Sequence, residues 1–271
     1  PPRGGLLLDV IPYQLYVKPI DINNITFSKK KANNLIFMLI GGVQELTTLD
    51  FPGRLAAVVF TLGCNFRCGY CHNPQFVDEE QIKNIRTENI PEEVFFKFLE
   101  KRKGKLEGVC ISGGEPTIQA DLLEFALKIK QAGFLVKLDT NGTKSLVLEK
   151  MIAEKAVDFF AMDIKTSLSR YEEIVGAGFS VDEIKKSKDI IQNSGLPYEF
   201  RTTAVKGKHT REIFEEIGWW LKGAEAYSIQ NFRNKKTLAE EYKKEEGFSE
   251  HELAEFKLLM EKYVKNCGLR L

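Results

Sequence analysis

Short apolar runs alternate with amphipathic helical segments along this chain, and that alternation strongly limits the folds it can adopt. Each run is rich in β-branched or aromatic residues, and most are followed by a polar or glycine-containing turn. Strict alternation predicts parallel strands joined by right-handed helical crossovers. The six predicted strands span 55–61, 108–112, 134–139, 157–163, 198–205 and 227–230.

The expected fold class is α/β, with a partial, open parallel β/α barrel of about six βα units. A doubly wound open sheet fits the alternation almost as well. Two helices have capping-box spacing, Ser180 with Glu183 and Ser249 with Glu252. The predicted helices span 91–102, 120–131, 146–154, 181–193, 211–221 and 250–264.

The length of the chain bounds its domain organisation. With 271 residues, 43% of them hydrophobic, it can bury one substantial core, and we expect one main domain over residues 38–271. Residues 1–37 lack a sustained period, and the first methionine is Met38. Two interpretations stay open for this extension. It is a non-native, poorly ordered stretch upstream of a natural start at Met38, or an ordinary N-terminal extension with a strand near 13–17.

Charge and cysteine content exclude several classes of function. Thirty-nine basic and 38 acidic side chains give a formal net charge of +1. We therefore expect neither a nucleic-acid partner nor contact with an anionic membrane. Five cysteines, three of them crowded together, argue against a secreted disulfide scaffold and favour a reducing, cytoplasmic location. The apolar runs are also too short to span a bilayer.

Three cysteines, Cys64, Cys68 and Cys71, lie in one loop directly after the first predicted strand. Their spacing lets three thiolates turn toward one centre, and Gly63 and Gly69 permit tight curvature. A structural zinc site needs a fourth protein ligand, which would come from His72, Cys110, Cys267 or elsewhere. An iron–sulfur cluster can use three thiolates and leave one iron open, so we expect iron and sulfur here.

Three further polar clusters follow predicted strands, and all four clusters should face one cavity. Each has an ordinary explanation alone: a glycine turn, a helix cap or a solvated lysine. Together they could hold a ligand, because paired glycines allow close approach, Glu115 can accept from an ammonium, and Asp139 with Asn141 can bind hydroxyls. The three clusters are Gly113-Gly114-Glu115, Asp139-Thr140-Asn141 and Asp163-Ile164-Lys165.

The motifs together resemble a known family. The CxxxCxxC signature with Tyr70 before its last cysteine, followed on the next strand by GGEP, resembles the radical S-adenosylmethionine (SAM) superfamily. The longer strings TLGCNFRCGYCHNP, ISGGEP, KLDTNG, AMDIK and YEFRTTAV are similar to the glycyl-radical-enzyme activases, most of all the activating proteins of anaerobic ribonucleoside-triphosphate reductases. The resemblance covers about residues 40–271.

The resemblance implies roles for individual residues. Cys64, Cys68 and Cys71 would bind a [4Fe–4S] cluster whose open iron takes the amino and carboxylate groups of SAM. No protein side chain is implied as catalytic beyond the cluster and SAM. Tyr70 would lie against adenine, and His72 would stand near SAM, although a purely structural role for His72 is an equal alternative. Further SAM-site positions are Gly113, Gly114, Glu115, Asp139, Thr140, Asn141, Asp163, Ile164 and Lys165, with a monovalent cation near Asp139, Thr140, Met162 and Asp163.

The implied activity is reductive cleavage of SAM, followed by abstraction of a hydrogen atom from a glycine of a partner glycyl radical enzyme. Anaerobic ribonucleoside-triphosphate reductase is the favoured partner. An activase of pyruvate formate-lyase or a relative is the alternative, as is a radical SAM enzyme acting on a small molecule. A metal-stabilised or electron-carrying module without catalysis explains the GGEP and DTNG clusters poorly. A sheet of six strands, unlike a closed barrel of eight, would leave a lateral opening for a glycine loop.

Two further expectations follow from what lies outside these motifs. The chain has no second cysteine group, so electrons would come directly from a flavodoxin- or ferredoxin-type donor. Cys110 and Cys267 are expected to be packing residues. The charged run 233–246 is typical of a solvated loop, with docking of the partner as a second interpretation.

Overall fold

The computed structural model describes residues 38–86 and 89–271. Both interpretations of residues 1–37, including the strand near 13–17, lie outside this part of the chain. Within it, no helix is long and apolar enough to cross a membrane.

The core of the fold is one sheet whose strands follow the order of the chain. The first two strands pair antiparallel, and every later neighbouring pair is parallel. Strands that follow one another across the sheet in chain order are typical of a barrel, whereas the strand order of a doubly wound sheet reverses part of the way along the chain. The first and last strands are its two edges, so the sheet is open. The strands are β1 (Ile40–Thr47), β2 (Ala56–Thr61), β3 (Gly108–Gly113), β4 (Leu135–Thr140), β5 (Phe159–Asp163), β6 (Tyr198–Ala204), β7 (Ala226–Asn231) and β8 (Asn266–Arg270).

The α/β class, the open barrel and the six predicted strands, β2 to β7, are confirmed. β1 and β8 were not predicted, so the described sheet has eight strands rather than about six. Six helices begin and end close to their predicted bounds, although α8 ends four residues early. Two more helices, α1 and α5, were not predicted. The helices are α1 (Glu79–Arg86), α2 (Glu92–Lys101), α3 (Leu122–Gln131), α4 (Ser145–Ala153), α5 (Tyr171–Val175), α6 (Val181–Gln192), α7 (Arg211–Trp220) and α8 (Glu250–Met260).

The strand register divides side chains between two faces of the sheet. One face is apolar and packs in the same core cluster as helix residues such as Phe95 and Phe125. The opposite face, called here the polar face, carries charged side chains deep inside the fold. The apolar face includes Val136, Leu138, Phe160, Phe200 and Ile229, and the polar face includes Cys110, Lys137, Asp139, Asp163, Glu199 and Arg201.

The two predicted capping boxes have different outcomes. At α8, Ser249 accepts from the Glu252 amide and the Glu252 carboxylate accepts from the Ser249 amide, as predicted. At α6, the predicted box is wrong, because Ser180 makes no side-chain capping bond. The Glu183 carboxylate accepts instead from the amide and hydroxyl of Ser145 at the start of α4. A tertiary contact has replaced the local one.

Candidate functional site

The cysteine loop follows β2 and turns over the carboxyl end of the sheet. Gly63 has φ of +90°, a backbone conformation that glycine adopts without strain. Within the loop, the Cys71 amide donates to the Cys68 carbonyl at 3.0 Å, and the Phe66 amide donates to the Cys64 thiol sulfur at 3.3 Å. Cys68 is buried, whereas Cys64 and Cys71 are partly exposed.

Burial keeps the free thiols protonated. It raises the pKa of Cys64 to about 12, with the nearby Glu115 carboxylate adding to the shift, and raises the pKa of Cys68 to about 11. A negative charge on a neighbouring cysteine would raise the pKa of both thiols further. Bound iron would supply the positive charge that thiolates require here.

The residues of this loop suit an iron–sulfur cluster held by three thiolates. Three soft sulfur ligands stand on one loop, and the buried hydroxyl of Tyr70 beside them has no hydrogen-bond partner. Across the described ranges, no three His, Cys, Asp or Glu side chains already form a group that could hold a metal ion. A cluster bound here would need all three sulfurs turned toward one centre. Cys110 and Cys267 lie on strands β3 and β8.

Glu115 is the buried junction of the site. Its side chain is fully enclosed, and four protein donors point at its carboxylate. Oε1 accepts from the Thr117 amide at 3.1 Å, the Thr117 hydroxyl at 2.5 Å and the Thr140 hydroxyl at 2.8 Å. Oε2 accepts from the Asn141 amide at 2.6 Å. Two of the predicted clusters, at the ends of β3 and β4, are thus joined by one side chain.

Gly113 and Gly114 bring β3 against the beginning of the cysteine loop. A Cβ on Gly114 would lie 1.9 Å from the Gly63 carbonyl oxygen, and a Cβ on Gly113 would lie 2.4 Å from the Thr61 amide nitrogen. The Glu115 amide also donates to the Gly63 carbonyl at 2.8 Å. Close approach of two backbone segments therefore requires both glycines, independently of any ligand.

Asn141 joins the cysteine loop to the end of β4. Its side-chain amide nitrogen donates to Oδ1 of Asn65 at 2.9 Å, and Nδ2 of Asn65 donates to the Thr143 hydroxyl at 2.7 Å. Oδ1 of Asn141 accepts from the Thr143 amide and hydroxyl. Both polar atoms of the Asn141 side chain thus have protein partners, and the loop is fixed against the strand-end clusters.

Asp139 and Asp163 are linked through Arg201, which the sequence analysis did not select. Arg201 Nε donates to Asp163 at 2.8 Å and Nη1 to Asp139 at 3.3 Å. Burial alone would raise the pKa of both carboxyls, but Arg201, with Lys137 at Asp139 and Lys165 at Asp163, holds both values below their usual range. A charged residue inside a predicted strand, between Phe200 and Thr202, was the available clue to Arg201.

The remaining predicted residues of the third cluster are anchored by backbone contacts. Ile164 is fully buried, and its carbonyl accepts from the Thr202 hydroxyl at 2.8 Å. The Lys165 amide donates to the Tyr171 hydroxyl at 3.0 Å, and the Lys165 carbonyl lies 2.9 Å from Nε2 of the buried His209. These bonds hold the backbone of the turn while Lys165 Nζ reaches Asp163 at 2.9 Å.

The segment after β7 packs onto the cysteine loop instead of being solvated throughout. Ala239 donates its amide to the Gly69 carbonyl at 2.9 Å, and the Tyr242 ring fills the space that a Cβ on Gly69 would need. Tyr242 also makes an edge contact with Tyr70, their ring centroids 6.0 Å apart. His72 stacks on Phe232 beside this segment. The solvated-loop expectation for 233–246 is thus wrong around Tyr242, because that ring is buried.

An open cavity at the opposite end of the sheet does not belong to this site. It is lined by residues at the amino ends of β5, β6 and β8, among them Phe159, Tyr198 and Asn266. Sites in folds of this type lie at the carboxyl ends of the strands, where the cysteine loop is.

Comparison with known proteins assigns the family. Residues 58–218 match the radical SAM superfamily. A protein of Methanocaldococcus jannaschii, named as a glycyl-radical enzyme activating enzyme, is 36% identical over 237 residues, which cover 86% of this chain and 95% of that protein. The pyruvate formate-lyase-activating enzyme of Streptococcus mutans is 33% identical over 196 residues, covering 68% of this chain and 72% of the enzyme.

A solved structure supports the fold. The structure of Streptococcus suis SuiB bound to precursor peptide SuiA matches with a TM-score of 0.60 and 16% identity, covering 79% of this chain and 48% of that one. Membership of this family implies a [4Fe–4S] cluster and SAM as cofactors. The chain therefore belongs to the radical SAM superfamily and is a radical SAM oxidoreductase of the glycyl-radical-enzyme activating type.

Proposed function

We propose that this protein cleaves SAM reductively and takes a hydrogen atom from one glycine of a partner glycyl radical enzyme. One observation carries the proposal. The three-cysteine loop is hydrogen-bonded through Asn65 to Asn141, and Glu115 accepts a hydrogen bond from the same turn after β4. An iron–sulfur cluster on this loop would therefore lie next to the polar groups at the strand ends. The match to nearly the full length of the Methanocaldococcus protein supports the reaction type.

Within this site, Cys64, Cys68 and Cys71 would bind three irons of the cluster and leave the fourth for SAM. A cluster bound there would supply the single electron that reduces the sulfonium of SAM and breaks one of its carbon–sulfur bonds. The chain's own residues position SAM and exclude water. Tyr70 and His72 would contact SAM from the cysteine loop and its end, and the strand-end contacts would come from Gly113, Gly114, Glu115, Asp139, Thr140, Asn141, Asp163, Ile164 and Lys165.

Glu115 would have two tasks in this site. Because its carboxylate accepts four protein hydrogen bonds, its first task is to hold the turns after β3 and β4 in place. Oε2 has a single donor, the Asn141 amide, so a second acceptor position on that oxygen can receive the SAM ammonium.

The favoured partner is an anaerobic ribonucleoside-triphosphate reductase, on the strength of the longer strings such as KLDTNG and AMDIK. Pyruvate formate-lyase or a relative is the second candidate, favoured by the likeness to the Streptococcus enzyme. The open sheet supports a protein substrate over a small molecule, because the edge strands β1 and β8 do not pair with each other in the described chain. A peptide loop could enter there.

The electron donor is proposed to be a flavodoxin or ferredoxin type, because the remaining cysteines, Cys110 and Cys267, lie on separate strands and form no second cluster motif. None of the five cysteines is in a disulfide, which suits the reducing cytoplasm. The resemblance to the activases also implies a monovalent cation near Asp139, Met162 and Asp163.

The test is anaerobic. The protein is reconstituted with iron and sulfide, reduced in the presence of SAM, and assayed for 5′-deoxyadenosine; no product would reject the enzymatic proposal. Addition of each candidate partner is followed by electron paramagnetic resonance. A glycyl radical in the reductase supports the favoured partner, one only in the lyase supports the second candidate, and none in either would reject both partners.

A further inference from the structure

Lys137 is a buried cation to which the proposed function gives no task. It lies on β4, two residues before Asp139, and its side chain is fully enclosed on the polar face of the sheet. Its ammonium contacts Asp139, with the Cys110 sulfur 3.8 Å away. An ammonium in such a place is strongly unfavourable unless a carboxylate compensates it.

Every oxygen of the two carboxylates at this site already has a protein donor. Asp139 Oδ1 accepts from Lys137, while Oδ2 accepts from the Ser112 hydroxyl at 3.0 Å and Arg201 at 3.3 Å. Asp163 Oδ1 accepts from Arg201 at 2.8 Å, and Oδ2 accepts from Lys165 at 2.9 Å. A metal cation coordinated by either carboxylate would have to share its oxygen with a positively charged side chain.

The charge balance points the same way. Three cationic side chains surround two carboxylates, which leaves the group with a net charge of +1. The next carboxylate, Glu199, raises the pKa of both Lys137 and Arg201 but has its own partner in Arg270 at 2.7 Å. An added monovalent cation would increase the positive charge in a region where burial weakens screening.

Lys137 keeps its proton in this setting. Burial alone would lower the pKa of its ammonium, but the Asp139 carboxylate outweighs burial and holds that pKa above its usual range. The Lys137 ammonium beside Asp139 therefore stays positively charged near neutral pH.

We propose that Lys137 is a built-in counter-ion for Asp139. Together with Arg201, its ammonium supplies the positive charge that a bound monovalent cation would supply, so SAM binding needs neither K⁺ nor Na⁺. This inference rests on the proposed function, since it concerns how the same site holds SAM.

The test measures SAM binding to the reconstituted protein by anaerobic equilibrium dialysis in choline, sodium or potassium chloride at one ionic strength. The wild type should bind SAM with the same affinity in all three salts, within about twofold. Lys137→Met should bind about tenfold more weakly in choline, and Na⁺ or K⁺ should restore the affinity because a small cation can then occupy the vacated position.

Lys130→Met is the matched control, because it also removes an ammonium paired with a carboxylate, Asp158, but on α3, away from the carboxyl end of the sheet. It should behave as the wild type in all three salts. A wild-type affinity that rises severalfold on adding K⁺ or Na⁺ would overturn the inference, as would a folded Lys137→Met protein that no cation rescues. Absence of SAM binding in every buffer, with the cluster intact, would reject the proposed function itself.

A second measurement covers a Lys137→Met protein that does not fold, or a protein that does not bind SAM. Sodium nuclear magnetic resonance detects site-bound Na⁺ by line broadening, and it can be applied to the wild type without SAM. Wild-type broadening that excess K⁺ leaves unchanged supports the built-in charge. Broadening that is removed by Arg201→Lys or by excess K⁺ would overturn it.

Discussion

Glu115 accepts the backbone amide of Asn141 at 2.6 Å, so a single buried carboxylate ties the turn after β3 to the turn after β4. The same β4 turn holds the cysteine loop through Asn65. The position of the cysteine loop therefore depends on Glu115, whose contacts join the ends of β2, β3 and β4.

Glu115→Gln should destabilise the fold. The amide nitrogen of glutamine would face donors that now meet a carboxylate oxygen, and leaving a buried polar group unsatisfied costs about 1–3 kcal/mol. Urea denaturation of the cluster-free protein measures this loss in the free energy of unfolding. Glu107→Gln, at an exposed ion pair with Arg54, is the control and should barely move the midpoint. Equal midpoints for the two variants would contradict the role given to Glu115.

Gly114→Ala should be far more damaging than Gly133→Ala. At Gly114 the added methyl group would overlap the Gly63 carbonyl, so the cysteine loop must move away from β3. Gly133 has φ of +93° but open space around it, so alanine there costs only backbone strain of about 1–2 kcal/mol. Thermal unfolding and the iron content after reconstitution measure both effects. Full iron loading of Gly114→Ala would show that this close approach is dispensable.

Arg201→Met should lose stability in a pH-dependent way. Without the guanidinium, two buried carboxylates keep only part of their partners, at a cost of about 3–5 kcal/mol near neutral pH. The pKa values of Asp139 and Asp163 are lowered in the folded protein, so their contribution is present above the usual carboxyl pKa and is lost as the pH falls.

In Arg201→Met, burial would raise both carboxyl pKa values, and protonation would relieve the unpaired charge. The stability difference from the wild type should shrink as the pH falls from about 7 to about 4, the region of ordinary carboxyl titration. Denaturant midpoints across this range test it, with the surface variant Arg170→Met as control. A difference that stays constant with pH would contradict the charge pairing.

Cys64→Ala, Cys68→Ala and Cys71→Ala should each lose the visible absorbance of the cluster and the cleavage of SAM, because three thiolates are the fewest that hold a site-differentiated cluster. Cys267→Ala, on β8, should keep both, and Cys110→Ala, on β3, should keep the cluster. Loss of the cluster in either strand variant would mean that the ligand set is different.

Local patterns were sufficient to predict the six central strands, because each contains buried β-branched or aromatic residues. β1 and β8 were missed because neither forms an apolar run. β1 contains Gly41 and Gly42, and β8 is a short, largely unburied segment held by pairing with β7. Their strand conformation comes from tertiary pairing, which overrides propensity.

The sequence predicted the site residues at the ends of the strands but not those inside the strands. The cysteines and the three strand-end clusters carry compact motifs, whereas Arg201 and Lys137 are charged residues inside strands, each with an acidic residue two positions away. Their importance depends on which residues lie opposite them in the register, such as Asp163 beside Arg201. The burial of Tyr242 was equally hidden, because it depends on the space left by Gly69.

The most direct test of the account follows one hydrogen atom. A candidate glycyl radical enzyme, produced with glycine deuterated at the α-carbon, is activated anaerobically by this protein with SAM and reductant, and the 5′-deoxyadenosine is analysed by mass spectrometry. We predict deuterium in the 5′-deoxyadenosine together with a glycyl radical in the partner. A glycyl radical formed with no transfer of deuterium would contradict direct abstraction by this protein.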